Sequence, residues 1–334
     1  MAVGEKIILG HGSGGRLTRD LVRDVFREHL GETGPDSMDD GAVLPAPMGE
    51  LVFTTDSYVV SPLEFPGGDI GALAVCGTVN DLAVMGARPL WLSLGVILEA
   101  GLDIAALERI VKSIAAKARE AGVQIVCGDT KVVEKGKGDG IFINTSGIGV
   151  REHALRPETI AVGDKVIVTG TVGDHGMALL TLRKGFPLKS NLKSDCASLI
   201  DPLLTCFAGA EVKWARDATR GGVATILNEL TADQPWSVLI EEARVPVSDA
   251  VAGVSELLGL DPLYSANEGK AVMVVAAADA EKALKLLRKT PLACSAAIIG
   301  TIVDEFAGKT VSRSEMGTLR TLGILASDPL PRIC

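Results

Sequence analysis

Five aspartates stand at the ends of apolar stretches or inside them: Asp40 in DDGAV, Asp56 in TTDSY, Asp81 in VNDLAVMG, Asp129 in CGDTK and Asp217 in RDATRGG. Taken singly, each reads as a cap, a turn or a local hydrogen bond. Asp81 is harder to place that way, because it follows Asn80 in an otherwise apolar segment and a carboxylate taken out of water needs a partner. Together the five fit a shared divalent-cation site, for which Mg2+ held by a few carboxylates plus nucleotide phosphates is the usual form. In RDATRGG, Gly221 and Gly222 open a helix and would offer an anion free N–H groups and the positive end of the dipole. Lys131 in CGDTK and Glu268 in SANEGK lie at strand ends, where a lone charge is ordinarily solvated. Beside a metal–phosphate site they would be a base and an electrostatic stabiliser.

The last residue adds a different chemistry. Cys334 closes PLPRIC, and Pro329 and Pro331 exclude helix from its approach and favour an extended backbone. An arm of about ten residues, from Ala326 or a little earlier, spans up to ~35 Å when extended. The thiol is either the idle end of a frayed terminus or a reacting group carried on an arm.

The Gly-rich GHGSGG satisfies G-x-G-x-x-G through Gly10, Gly12 and Gly15 between a strand and a helix, yet the next clear strand begins only near Leu51. The βαβ unit of a dinucleotide site is therefore missing, and no G-x-x-x-x-G-K-[ST] occurs. A mobile flap closing over an anionic ligand, or a plain N-terminal loop, remains.

The elements that must position these groups read as follows. EKIILG predicts a short strand, and Leu17, Leu21, Val25 and Leu30 predict a helix after the Gly-rich loop. LVFTTDSYVV is a strand pattern, IGALAVCGTVNDLAVMGARP an apolar helix ended before Pro89, and LWLSLGVIL a buried strand. IAALERIVKSIAAKAREAG is amphipathic, with Gly122 as its stop. VQIVCGDTKVV and GIFINTSGIGV are two strands joined by the polar EKGKGDG. A shift in charge and proline at REHALRPETIAVGD marks a domain boundary, beyond which strands and helices resume in KVIVTGTVG, HGMALLTLRKG, CASLIDPLLTCFAGA, GVATILNELTAD, AVMVVAAA, ADAEKALKLLRK and AAIIGTIVD. Without strict βαβ alternation, the class is α+β in two domains, not a doubly wound parallel sheet.

Composition sets the outer bounds. The 334 residues suit two domains, and 47% are hydrophobic, with a mean hydropathy of +0.31. No apolar run reaches the ~18 residues of a membrane helix, and MAVGEKIILGHGSGG lacks the apolar core of a secretory signal. We expect a cytoplasmic protein with no membrane partner. The six cysteines show no CxxC spacing, so neither a zinc site nor a disulfide framework is indicated. A net charge of −9 argues against nucleic acid as a partner.

Taken together, HGSGG, DDGAV, TTDSYVVSPLEFPGGDIGALAVCGTVNDLAVMGARP, CGDTKVV, NTSGIG, GDHGMA, RDATRGG, ANEGK and PRIC resemble the HypE family of hydrogenase maturation proteins over essentially the whole chain. The wider relatives are the ATP-using aminoimidazole ribonucleotide (AIR) synthetases and selenophosphate synthetases, which share the TTD and NDLxxMGA signals but lack the terminal cysteine motif. The resemblance implies an AIR-synthetase-like α+β architecture. Residues 1–153 would form the ATP-binding domain, closing a β-barrel across a homodimer. Residues 154–323 would form a second α+β domain, and 324–334 a flexible tail. It assigns Asp40, Asp56, Asp81 and Asp217 to Mg2+ and ATP, and Gly12, Ser13, Gly14 and Gly15 to the loop over the nucleotide. By the same resemblance Asp129, Asn144 and Gly221 would be further nucleotide contacts, while Lys131 and Glu268 would surround the incoming tail. A HypF-type carbamoyltransferase would load a carbamoyl group onto Cys334. ATP-dependent dehydration would turn it into a thiocyanate, and the cyano group would pass to iron on a HypC–HypD-type scaffold for [NiFe]-hydrogenase. Two rivals stay open on sequence alone, a kinase-like relative making a product such as selenophosphate and a non-catalytic dimeric scaffold tethering through its thiol.

Overall fold

The computed structural model describes residues 4–35, 39–185, 191–325 and 332–334. They divide into two compact units. The first comprises Met1–Leu82, Ala87–Arg151 and Cys334, the second Ala83–Gly86 and Glu152–Ile333.

In the first unit the chain enters through a 3-10 turn, Leu9–Gly12, and a helical run of α1 (Arg16–Leu21), a π-helical stretch Val22–Arg27 and α2 (Glu28–Leu30). EKIILG does not become a strand. Its one ladder contact is a bridge from Lys6 to Asp103, where Ile7 exchanges backbone bonds with Gly101 and Leu102 and the Glu5 carbonyl accepts the Ile104 N–H before the chain tightens. Next come β1 (Leu51–Tyr58), a minimal hairpin of β2 (Glu64–Phe65) and β3 (Gly68–Asp69), α3 (Ile70–Val84), β4 (Ala87–Glu99), α4 (Ile104–Ala121), β5 (Gln124–Val133) and β6 (Ile141–Arg151). Four of the strands form a sheet in the order β1-β6-β4-β5, antiparallel except for the β4·β5 pair. Pro89 lies inside β4, at an irregularity between Pro89 and Trp91 where the ladder can spare its missing N–H.

Helix α3 covers one face of that sheet and is apolar all round, with Leu73, Val79 and Leu82 fully buried. The Thr145 hydroxyl on β6 donates to the Ala74 carbonyl at 3.1 Å and pairs with Thr78, so the interface is pinned by polar contacts. Helix α4 is amphipathic: Leu107, Ile110, Val111, Ile114 and Ala118 face inward. Gly122 ends it in the left-handed conformation at φ +69°.

The second unit is built on a seven-stranded sheet of β7 (Lys165–Val168), β8 (Val212–Asp217), β9 (Ser237–Glu241), β10 (Ala271–Val275), β11 (Ala297–Val303), β12 (Thr310–Arg313) and β13 (Leu319–Leu322). Its order is β13-β12-β9-β11-β7-β10-β8, antiparallel throughout except β9·β12. The helices are α5 (Asp174–Lys184), α6 (Ile200–Gly209), α7 (Gly222–Thr231), α8 (Asp249–Leu258) and α9 (Ala280–Leu287). Val166, Val168, Val272, Val274, Ile299 and Leu227 lie in one hydrophobic core. Asp164 and Lys213 form a buried ion pair at 2.8 Å. Backbone groups of Thr159 and Ala161 complete it, which offsets the desolvation of both charges.

Mixed helix and strand content in both units, with largely antiparallel sheets, agrees with the α+β reading. Strands β8, β9, β12 and β13 and helix α8 are additions to it. VKWARD, for example, alternates charge with bulk in a six-residue strand that carries no strong period. Among the described residues, no helix is long and apolar enough to cross a membrane.

Candidate functional site

The register of the first sheet sorts the predicted residues onto its two faces. Ser57, Asn144, Gly95 and Asp129 are directly paired, in that order, across all four strands, so they lie in one row on one face. Asn144 Nδ2 donates to Ser57 Oγ and to the Asp56 carbonyl, both at 2.9 Å. Two residues further along β5, Lys131 Nζ reaches Asp129 Oδ1 at 2.7 Å. Those side chains are 63% and 67% exposed, and such a surface pair is worth only ~0–1 kcal/mol. It leaves both charges available to a ligand.

The opposite, helix-covered face carries the other aspartates. Asp56 pairs with Thr145 on that face, and Thr54 Oγ1 on the same strand donates to Asp81 Oδ2 of α3 at 2.8 Å. A hydroxyl thus accompanies the carboxylate that the apolar helix would otherwise leave costly. Asp40 is exposed. Its neighbours Asp39 and Gly41 line a cleft of about 230 Å3 with Thr18, Phe26, Gly128 and Asp129, which brings DDGAV and CGDTK to one place.

Of the Gly-rich loop, Gly12 is packed hard: a Cβ there would stand 2.6 Å from the Val132 amide of β5. Beyond it, Ser13, Gly14 and Gly15 are exposed, with Gly14 at φ +80°. His11, beside them, is buried, and its Nδ1 accepts the Ile8 N–H at 3.1 Å. Burial lowers its pKa. Cys334 also belongs to this unit. Its thiol residue is buried, and its carbonyl accepts the N–H of Val59 at 3.1 Å, directly after β1.

The second unit gathers a different set. Asp217 ends β8, opposite Ala271 of β10, and is buried. Gly221, at φ +76°, caps α7. Gly222, at φ +63°, sits where a Cβ would come within 2.5 Å of the Leu263 carbonyl. Gly222→Ala should therefore lower stability by about 2–4 kcal/mol, read from the denaturant midpoint.

Glu268 is 3% exposed, in contrast to the solvated charge expected at a strand end. Asp195 holds its segment: Oδ1 accepts the Glu268 N–H at 3.0 Å, and Oδ2 accepts the Gly269 N–H at 3.3 Å and Lys270 Nζ at 3.1 Å. A Cβ on Gly269 would collide with the Asp195 carbonyl at 2.0 Å. Asn267 ties the same segment to both neighbours, accepting from the Gly173 N–H at 2.8 Å and donating to the Ala218 carbonyl at 2.9 Å. ANEGK is thus a hinge point where α5, β8 and the Asp195 loop meet.

The first turn of α5 contributes His175, which is fully buried. Its Nδ1 lies 2.8 Å from Ser194 Oγ and its Nε2 2.8 Å from the Ile333 carbonyl. Arg183, two turns on, donates to the Arg332 carbonyl, and Arg332 adopts φ +59°. Ile333 is 1% exposed. The last residues, 332–334, are thus held in place, while most of the arm that the sequence predicts as flexible, with Pro329 and Pro331, lies outside the described residues. His175 lies within GDHGMA, a stretch to which the sequence alone gives no role. Lys270 closes ANEGK, but Ser194 and Asp195 stand in no motif, since Asp195 works on donors far along the chain.

Among the described residues, no three carboxylates, histidines or cysteines gather into a preformed metal cluster.

Comparison with known proteins now fixes the family. Residues 38–151 match the AIR synthase related protein N-terminal domain, and 161–312 its C-terminal domain, so the two units form an AIR synthase-like two-domain fold. Carbamoyl dehydratase HypE of Rhodobacter capsulatus is 47% identical over 343 residues, covering 99% of this chain and 98% of that protein. A crystal structure of hydrogenase maturation protein HypE in complex with ATP has a TM-score of 0.93 at 43% identity, covering 98% of this chain and 99% of that one. A chain in a crystal structure of a HypE–HypF complex has a TM-score of 0.80 at 42% identity, covering 93% and 100%. At this identity over nearly its full length, the chain belongs to the HypE family of carbamoyl dehydratases of hydrogenase maturation.

Proposed function

We propose that this chain dehydrates a carbamoyl group carried on the sulfur of Cys334 to a thiocyanate, with ATP converted to ADP and phosphate, as a supply of cyanide for the iron of [NiFe]-hydrogenase. The observation that carries the residue assignment is the position of Cys334 in the first unit. Its carbonyl is held by Val59, immediately after the strand that presents Asp56 and Ser57. That contact supports a reading in which the thiol reaches the motifs that would hold a nucleotide. Family membership sets aside both the small-molecule kinase and the inert scaffold.

When bound, ATP turns the carbamoyl oxygen, a poor leaving group, into phosphate. Mg2+ would be held by Asp56 and Asp81, with Asp40 and Asp217 as further ligands, and would offset phosphate charge. Asp129, Asn144 and Gly221 would contact the nucleotide, and Gly12, Ser13, Gly14 and Gly15 would cover it and exclude water. Glu268, already shielded from solvent, takes one nitrogen proton, and the second leaves with the departing phosphate as the C–N triple bond forms. Lys131, with its loosely held ammonium, counters negative charge on the developing imidate.

The domain roles follow: 1–153 for nucleotide and dimer contacts, 154–323 for the base, 324–334 for the arm. Leu51, Phe53 and Ile97, 59%, 66% and 42% exposed, share the solvent-facing side of the first sheet. A second copy closing a barrel would cover them. A HypF-type carbamoyltransferase would load the thiol, as the relative's complex suggests, and a HypC–HypD-type complex would accept the cyano group, all in the cytoplasm.

Mass spectrometry of the Cys334 peptide tests the reading. With the carbamoyltransferase, carbamoyl phosphate and ATP, the peptide should gain a carbamoyl group and then lose one water only when ATP is present. ATP turnover without change at Cys334 would overturn it.

A further inference from the structure

We propose that His175 is a positioning residue for this reaction, a neutral latch that holds the docked arm by donating its Nε2–H to the Ile333 carbonyl. The inference rests on the reading that Cys334 carries the reacting group.

The direction of every hydrogen bond in the chain of contacts can be worked out. The Ile333 carbonyl can only accept, so the Nε2 that lies 2.8 Å from it must carry the hydrogen. In a neutral ring Nδ1 then accepts, and its partner at 2.8 Å is the Ser194 hydroxyl. That hydroxyl oxygen already accepts the Cys196 N–H at 3.1 Å, which leaves its own hydrogen for Nδ1. Cys196 N–H, Ser194 O–H and His175 Nε2–H thus point one way along a relay that ends on the peptide group joined to Cys334. No member needs a charge.

Burial favours the same state, lowering the imidazole pKa, with Asp195 and Arg183 the charged groups that bear on it in opposite senses. Both ring nitrogens are engaged with groups that do not react, so His175 is not a proton carrier for the dehydration; it fixes where the arm lies. Gly176, the next residue, lies beside the arm: a Cβ there would collide with Ser265 Oγ at 2.3 Å and press on the Ala266 amide at 3.1 Å, while Ile333 Cδ1 at 3.4 Å would be an ordinary contact, so glycine sets the packing of this helix turn on the Ser265–Ala266 segment.

A latch of neutral hydrogen bonds suits an arm that must also leave to be loaded. It holds the carbonyl of Ile333 and leaves the sulfur of Cys334 to the chemistry.

The test compares His175→Leu with His175→Gln in the full chain. Glutamine can place an amide N–H near the position of Nε2; leucine cannot. Two readouts are taken: the rate at which iodoacetamide alkylates Cys334, resolved by peptide, and the rate of thiocyanate formation on protein already carbamoylated. Cys294, which is exposed, serves as the internal reference, and Cys206, whose thiol burial pushes up to about 12, should stay unmodified. For His175→Leu we expect Cys334 alkylation to rise about tenfold and dehydration to fall about tenfold or more, with ATP affinity unchanged. His175→Gln should stay within about threefold of the parent on both.

Unchanged alkylation in the leucine variant, or a glutamine variant as impaired as leucine, overturns the latch. If the leucine variant does not fold, Ser194→Ala gives the same pair of readouts, with a smaller shift in the same direction; no shift overturns the proposal. Were the parent protein never to lose water from a carbamoylated Cys334, the proposed function would fail while the alkylation contrast still judged the latch.

Discussion

Cys334→Ser removes thiocyanate formation altogether, by about 10³-fold or more, while ATP affinity and folding stay within about twofold of the parent. The reason lies in the division of labour at this residue. Its backbone carbonyl makes the contact with Val59, and serine keeps that carbonyl and nearly the same volume. What is lost is the sulfur, whose thiolate accepts an acyl group far more readily than an alcohol does near neutral pH. Mass spectrometry with isotopically labelled carbamoyl phosphate reads the outcome directly. Label appearing stably on the serine variant, or on a chain lacking Ile333 and Cys334, would remove Cys334 from the mechanism.

Glu268→Gln should slow dehydration of the carbamoylated protein by about 10²–10⁴-fold, the range lost with a positioned general base. Glutamine has the shape of glutamate and the backbone at this site is held independently of the side chain. The Glu268 N–H is taken by Asp195 at 3.0 Å, and its carbonyl accepts the Ala197 N–H at 3.4 Å. Carbamoylation of Cys334 and ATP binding should therefore persist, so that the S-carbamoyl form accumulates. Single-turnover measurement after addition of ATP separates the steps. A parental rate of water loss would show that the carboxylate takes no proton in the reaction.

The sequence was readable where chemistry and periodicity coincide. The amphipathic period of 104–121 and its glycine stop give α4 within a residue of its observed ends, and Asp81, half-buried in an apolar helix, announced that a partner was needed, which Thr54 supplies. The glycines read as a loop and a helix start, and the structure adds that at Gly12 and Gly222 a backbone comes too close for a side chain. EKIILG misled because an apolar run promises a strand only if a neighbour offers a ladder, and here a single bridge was available. The set around Glu268 was invisible for a different reason. Asp195 acts on two backbone amides and a lysine ammonium 73 to 75 residues away, and His175 on a carbonyl 158 residues away. Such contacts leave no local pattern. Nor could the burial of Glu268 be foreseen, since a charge after an apolar run usually marks the surface.

The row from Ser57 through Asn144 and Gly95 to Asp129 makes the first sheet a register gauge. Side chains alternate with a period of two, so a slip of one residue in any strand would carry its member of the row to the opposite face. β6 bonded one residue out would bury Asn144 and expose Thr145, and β1 likewise would exchange Asp56 for Ser57. A mispaired chain would therefore lose the nucleotide groups and the arm's seat together. Because a ligand stabilises only the state that binds it, by ~2.7 kcal/mol at a hundred times its dissociation constant, ATP in the proposed site would act as a proofreader of folding, rewarding the single strand alignment in which the enzyme can work.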